Sequence, residues 1–250
     1  MAYTDGPESG GIANFRFEVI SDAWQKLSVN LGQWVLTFLV AWLLIQTVGA
    51  VGYFVSMLPI SIIFNVLGLT SKNDDPNIFV ALLSFVFMIV PIGVWGAVIA
   101  VFIGTMVKMA LNQLRGLPIS VGDLFADFSR IVPLMVAGGL YAAGIYVGIF
   151  FCVIPAVLLA GLCILTLPLI VDQNLDGITA LKTSIRIVQP QLGMAVIVGF
   201  VLMLVATLGY LVCGVGVFFT YPLLPIGLAL IYKDCFPERF QQPVLLEEER

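Results

Sequence analysis

The sequence predicts an all-α integral membrane protein with six transmembrane helices in three hairpins, each hairpin preceded by an amphipathic interfacial helix on the cytoplasmic side. Three observations predict it. Apolar residues make up 60% of the chain and charged residues 10%, against about 45–50% and 25% in a soluble domain. Runs of about 20 apolar residues, the length that crosses a bilayer, recur along the chain. Three half-polar stretches with helical periodicity stand directly ahead of these runs.

Residues 1–11 read as a flexible tail, 12–236 as one membrane domain and 237–250 as a cytoplasmic tail. Asp5, Glu8, Glu18 and Asp22 occupy the region where a secretory signal would carry positive charge, so the first span is expected to act as its own insertion signal. Phe17, Ile20, Trp24, Leu27 and Leu31 follow at steps of 3, 4, 3 and 4 and make the first amphipathic stripe. The first span is expected over about 33–57, ending at Pro59, and the second over about 77–108, tilted or kinked at Pro91. The second stripe is Val121, Leu124, Phe125 and Phe128, with Ser120 and Asp123 spaced as a capping box. Spans three and four are expected over about 131–153 and 156–172, separated by Ile154-Pro155. The third stripe is Ile178, Leu181, Ile185 and Val188, followed by spans over about 193–213 and 217–233.

The candidate repeat units are therefore 12–110, 117–174 and 175–236. "AWQKLSVNLGQWV" at 23–35 resembles "ALKTSIRIVQPQLGMAV" at 180–196 if an insertion is allowed before the Leu-Gly pair. That alignment puts Leu31-Gly32 and Leu192-Gly193 at equivalent corners, with glycine easing the helix end. Shared ancestry and separate selection for interfacial helices both account for the pattern. Each surface helix either lies on lipid or packs on its neighbours.

With the N-terminus inside and an even number of spans, ten of the eleven basic residues fall on the cytoplasmic side, as the positive-inside rule asks. Lys72, beside Asp74 and Asp75, is the exception. These features predict a multi-pass membrane protein with both termini cytoplasmic.

The formal charge of −4 and the absence of a basic block leave no field for nucleic acid. The chain has no histidine, which removes imidazole metal sites and His-based triads. Its four cysteines show no CxxC spacing, and Cys152 and Cys213 either form a disulfide near two hairpin tips or pack as small apolar side chains. No Asp, Glu, Lys or Arg lies in the interior of a span, with Lys108 and Asp172 at span ends where they can reach the headgroups, so a proton relay has no carriers. Gln46, Thr47, Ser56, Ser84, Thr105, Thr166 and Thr207 are the polar residues there, and they serve either helix contacts or a substrate track. Gln46 is the candidate intramembrane polar site, because a primary amide needs several partners in hydrocarbon. Trp24, Phe125, Phe128, Lys182 and Arg186 are the candidate lipid or partner contacts. Gly139, Ala142 and Ala143 are candidates for a close helix seam, and no catalytic, cofactor or metal residues can be assembled.

The pattern "RGLPISVGDLFADFSR", then "IPAVLLAGLCILTLPLIVDQNLDGITALKTSIRIVQPQLG", then "GVGVFFTYPLLPIGLALIYKDCF" resembles a group of uncharacterised bacterial membrane proteins. These are similar to the membrane domain attached to some glycerophosphoryl diester phosphodiesterases. The resemblance runs from about Ala23 to Phe236, with Ala-Leu-Lys-x-Ser at 180–184 among its markers. It implies a six-span fold with interfacial helices in a bacterial plasma membrane, and the termini are expected to be too short to hold the phosphodiesterase domain, so no enzyme activity comes with it. The expected function is that of a non-enzymatic scaffold, accessory subunit or lipid-organising protein, with membrane lipids and other membrane subunits as partners. The alternative is a transporter or lipid-handling protein for a neutral or amphipathic substrate.

Overall fold

The computed structural model describes residues 15–66, 78–125, 128–151, 153–211 and 214–240, with the side chain of Phe128 excluded. Every regular element among the described residues is helical. Five helices, some joined end to end, are long and apolar enough to cross a membrane, as in a multi-pass membrane protein: Leu31–Val66, Ile78–Leu114, Ile131–Phe151, Val153–Gln173 and Gly177–Leu211. Phe54, Val51, Val90 and Phe151 are among the many large apolar side chains left exposed on them, a surface that hydrocarbon tolerates and water does not.

α1 (Val19–Val29) ends at Asn30, and α2 (Leu31–Val66) starts at the next residue. Asn30 breaks the helix with φ −126° and ψ 37°. α2 runs through Pro59 instead of ending there, and its 36 residues reach about 54 Å. α3 (Ile78–Leu114) returns antiparallel to it. Trp34 meets Gln113 at one end, Gly49 lies against Trp95 midway, and the rings of Phe64 and Phe87 lie 5.6 Å apart at the other. The flanks of the acidic 67–77 segment therefore stand at the far end from Trp34 and Gln113. Lys72, Asp74 and Asp75 lie outside the described residues, as do Cys152 and Cys213.

The second expected surface helix is a correction. Within 120–130 the described residues make two short 3-10 turns, Val121–Phe125 and Phe128–Arg130. Asp123 accepts the Ser120 backbone N–H at 2.8 Å, so half of the expected capping box forms. It closes a local turn, the alternative that Ser and Asp side chains offer the backbone in competition with a helix.

α4 (Ile131–Phe151) packs antiparallel on α3 through small residues. A Cβ on Gly96 would overlap the Ala142 methyl and sit 2.9 Å from the Gly138 carbonyl, and a Cβ on Gly138 would overlap Ala100. Gly96-xxx-Ala100 and Gly138-xxx-Ala142 thus interlock, the close approach that stands in for hydrophobic burial between helices in lipid. Of the expected seam, Ala142 lies in this interlock and Gly139 packs beside it, where a Cβ would come 3.2 Å from the Gly93 carbonyl oxygen; Gly138 is the member not expected.

α5 (Val153–Leu162) and α6 (Thr166–Gln173) form the fourth expected span with a break at 163–165. Ser184 of α7 (Gly177–Val188) fills that break, donating to the Leu162 carbonyl at 2.7 Å and accepting the Leu165 N–H at 3.2 Å. Asp176 caps α7 by accepting the Thr179 N–H at 3.0 Å. A turn over 189–191 leads to α8 (Leu192–Thr207), and Gln191 has φ −125° and ψ 31°.

The last expected span, 217–233, is also a correction. It consists of α9 (Val217–Thr220) and α10 (Leu223–Cys235), interrupted at Tyr221-Pro222. Pro222 and Pro225 each lack an N–H, so the turn there cannot carry a full helical ladder. α10 is 13 residues, about 20 Å, and most of it is buried by protein. It still closes a hairpin on α8: Gly209 abuts the backbone of Gly216 and Val217, and Gly227 faces Leu202. Phe218 and Tyr221 meet α2 at Phe38 and Trp42, in the first third of that helix.

Both amphipathic α-helices bury small or slender residues and turn bulkier ones outward. α1 buries Val19, Ala23 and Leu27 while Phe17 and Trp24 are half exposed. α7 buries Gly177, Ala180, Ser184 and Val188 while Ile178, Lys182 and Arg186 are exposed. Of the expected stripes, Leu27 and Val188 therefore face protein, and Phe17, Trp24 and Ile178 face outward.

Candidate functional site

The ends of five segments converge where the basic residues gather. α3 supplies Gln113 and Arg115, α6 supplies Asp172 and Gln173, and α10 supplies Tyr232 and Asp234. The residues beside α1 supply Arg16, and the turn after α10 supplies Arg239 and Phe240. At the centre is the Asp172 side chain, 4% exposed. One of its carboxylate oxygens accepts from Arg115, and the other accepts from Tyr232 Oη at 2.6 Å and Arg239 Nη1 at 3.3 Å. Tyr232 is fully buried and its hydroxyl also accepts from Gln173 Nε2 at 3.0 Å. A buried carboxylate left alone would be strongly unfavourable, and here every one of its contacts is a donor. Phe240 lies under the Arg115 guanidinium at 5.1 Å, a cation–π contact that covers the pair.

Three further contacts fix this end. Arg130 donates to the Val171 carbonyl and, at 2.7 Å, to Asn174 Oδ1. It thereby serves the C-terminal turn of α6, where carbonyls lack helical partners, and Asn174 ends that helix in the left-handed region at φ 54°. Gln113 accepts from Trp34 Nε1 at 2.9 Å and donates to the Lys26 carbonyl at 2.8 Å, clamping the corner between α1 and α2 onto α3. Arg16 binds Asp234 through two N–H groups at 2.7 and 3.1 Å. The hydrogen bond and charge of Asp234 raise the Arg16 pKa above its ordinary value. This pair brings the beginning and end of the described chain together at one end of the bundle.

No family model, curated protein or solved structure matches this chain. The site must be read from its own geometry.

That geometry divides the expected site residues. Trp24 is 53% and Phe125 49% exposed, and Lys182 and Arg186 are exposed as well. They share no cluster. Trp24 borders an open apolar groove of about 500 Å³ with Phe17, Ile20, Val205 and Leu223. Phe128 begins the short turn ahead of α4. The partners of Asp172 are Arg115, Tyr232 and Arg239, all on other segments. Gln46 lies on the exposed face of α2, not on an internal track, and makes no hydrogen bond among the described residues. Thr47 and Thr207 donate to carbonyls of their own helices, and Thr105 does the same while buried.

Sequence reasoning missed Arg115, Arg130, Tyr232, Arg239 and Gln113. The available signal was a tyrosine and several arginines at span ends, which the positive-inside rule already explained. Nothing in periodicity marks which of them meets Asp172.

Chemically, the knot holds charge without exposing a nucleophile or base. Among the described residues no three His, Cys, Asp or Glu side chains converge as a metal would require. Cys163, in the break between α5 and α6, and Cys235, at the end of α10, are both buried.

Proposed function

We propose that this protein is a non-enzymatic, six-pass scaffold or accessory subunit of a bacterial plasma membrane assembly, with its basic end in the cytoplasm. One observation carries the reading. The strongest polar constellation, Asp172 with Arg115, Arg239, Tyr232 and Gln173, is consumed in tying helix ends together. A carboxylate whose oxygens are occupied by two guanidiniums and a phenol has little capacity left for substrate. The joining of Arg16 to Asp234 supports an even number of crossings, with the α8–α10 hairpin counted as the last pair. The concentration of Arg16, Arg115, Arg130, Lys233 and Arg239 at that end supports a cytoplasmic placement. The outward position of Gln46 leaves the transport alternative without its polar track.

The outward faces of α1 and α7, with Trp24, Ile178, Lys182 and Arg186 exposed, suit contact with headgroups or with other membrane subunits. The test is affinity isolation of the intact chain in a mild detergent after in-cell crosslinking, together with lipid profiling of a deletion strain. The reading expects a second membrane protein at defined stoichiometry or an altered lipid composition. Isolation without any different membrane protein, combined with an unchanged lipid profile, overturns it.

A further inference from the structure

α2 presents Leu36, Leu39, Leu43, Gln46, Ala50 and Phe54 at steps of 3, 4, 3, 4 and 4 along one side. The first four steps, through Ala50, are the a/d spacing of a two-helix seam. All but Ala50 are exposed. The opposite side of α2 is already used, with Trp34, Phe38, Ala41 and Gly49 buried. Gln46 is the anomaly in this seam. About 20 Å of helix separates it from Gln33 on one side and from Ser61 on the other. With α2 in a bilayer it therefore sits deep in the hydrocarbon. Three exposed or half-buried hydroxyls of α2 fold back on their own backbone, Thr47 to Leu43, Ser56 to Tyr53 and Ser61 to Leu58, whereas that of Thr37 is enclosed by protein. The Gln46 amide makes no such bond among the described residues, and lipid offers it no donor or acceptor.

We propose that this face of α2 is the interface of a parallel homodimer in which Gln46 pairs with Gln46 of the partner subunit. A primary amide carries both a donor and an acceptor, so it is complementary to itself. Two copies inserted in the same sense are related by a two-fold axis along the membrane normal. That axis places residue 46 opposite its own equivalent, and each N–H₂ donates to the other's carbonyl. The flanking Leu39, Leu43 and Ala50 supply packing, and the amide pair sets the register, as a single polar residue does in a coiled-coil seam. The inference deepens the scaffold reading and rests on its membrane placement of α2.

The test uses the full chain in lipid nanodiscs and measures mass. The wild type is expected at twice the 27.1 kDa of one chain. Gln46→Leu keeps the span apolar and insertable, and it is expected to weaken association about 3- to 30-fold, the range for one interhelical polar contact in a bilayer. In native membranes, Gln46→Cys is expected to crosslink to itself on oxidation. Val48→Cys, exposed on a different side of α2, is expected to behave like the unaltered chain. A monomeric wild type, unchanged association in Gln46→Leu, or capture of only a different protein at position 46 overturns the dimer. Alkaline extraction separates the two failures. A chain released from the membrane defeats the membrane reading, whereas one retained yet monomeric defeats only the pairing.

Discussion

Asn30 and Gln191 hold nearly the same backbone conformation, φ −126°, ψ 37° and φ −125°, ψ 31°, and each immediately precedes a Leu-Gly pair that starts a long apolar helix. The correspondence falls where the aligned segments 23–35 and 180–196 place it, with the Gln189–Gln191 turn as the inserted piece. It supports a duplicated corner, in which an amphipathic helix stops at one non-helical residue and the chain re-enters a helix at the next. The glycines were expected to make this corner, but they do not. Neither Gly32 nor Gly193 has positive φ, and a Cβ on either meets nothing within 4 Å.

The glycines therefore separate into two classes. Gly32→Ala and Gly193→Ala are expected to be neutral or to stabilise by up to about 1 kcal/mol, the difference in helix propensity. Gly96→Ala and Gly138→Ala are expected to destabilise by about 1–3 kcal/mol, because the new methyl meets the facing helix backbone. Thermal unfolding of the four variants in one detergent checks the ordering.

Ser184 supports the break between α5 and α6 with one donated and one accepted bond. Ser184→Ala leaves a buried carbonyl and a buried N–H without that partner, and is expected to cost about 1–3 kcal/mol. Ser184→Gly is expected to be no better, since neither residue restores the hydroxyl. Hydrogen exchange at Leu165, faster in the variant than in the parent, locates the effect; an unchanged rate there refutes it.

The Asp172 knot predicts a graded series. Asp172→Ala leaves Arg115 and Arg239 facing a buried gap, and is expected to cost about 3–5 kcal/mol or to prevent stable folding. Tyr232→Phe removes one hydroxyl that bonds both Asp172 and Gln173, and is expected to cost about 1–3 kcal/mol. Arg239→Ala, at the most exposed member, is expected to cost the least. Chemical denaturation midpoints give the order, and a tolerant Asp172→Ala would remove the knot from the account of stability.

Asp176 gives a pH signature. Hydrogen bonds from the Thr179 side chain and backbone N–H hold its carboxyl below the ordinary range. The folded form therefore favours the ionised cap. Its contribution is fully present above the unfolded carboxylate pKa and is lost as pH falls through the lower folded value. The difference in melting temperature between the parent and Asp176→Asn is expected to be flat above about pH 5 and to shift against the parent below about pH 4. A difference independent of pH throughout that interval contradicts the assignment.

Much of this architecture was legible in the chain because lipid imposes a strong local code. Apolar runs of bilayer length mark the helices, and the Leu-Gly corners and the basic residues give the layout of the ends. The reading failed where local chemistry competed with that code. Around Ser120 and Asp123 a side-chain-closed turn replaced the amphipathic helix, and at Tyr221-Pro222 prolines split an apolar run whose composition alone looked continuous.

By itself the sequence determined the class of solvent, the approximate position of most helices and the segregation of charge, since each depends on residues close together in the chain. Only the tertiary structure decided that Asp172 meets Arg115 and Tyr232, that Ser184 mends another helix, that α1 and α7 turn Ala23 and Ala180 inward, and that Gln46 faces out. Hydropathy cannot rank one apolar face above another when lipid and protein are equally apolar. Close packing of small residues and pairing of distant polar groups make that choice, and both are set by where the helices meet in space.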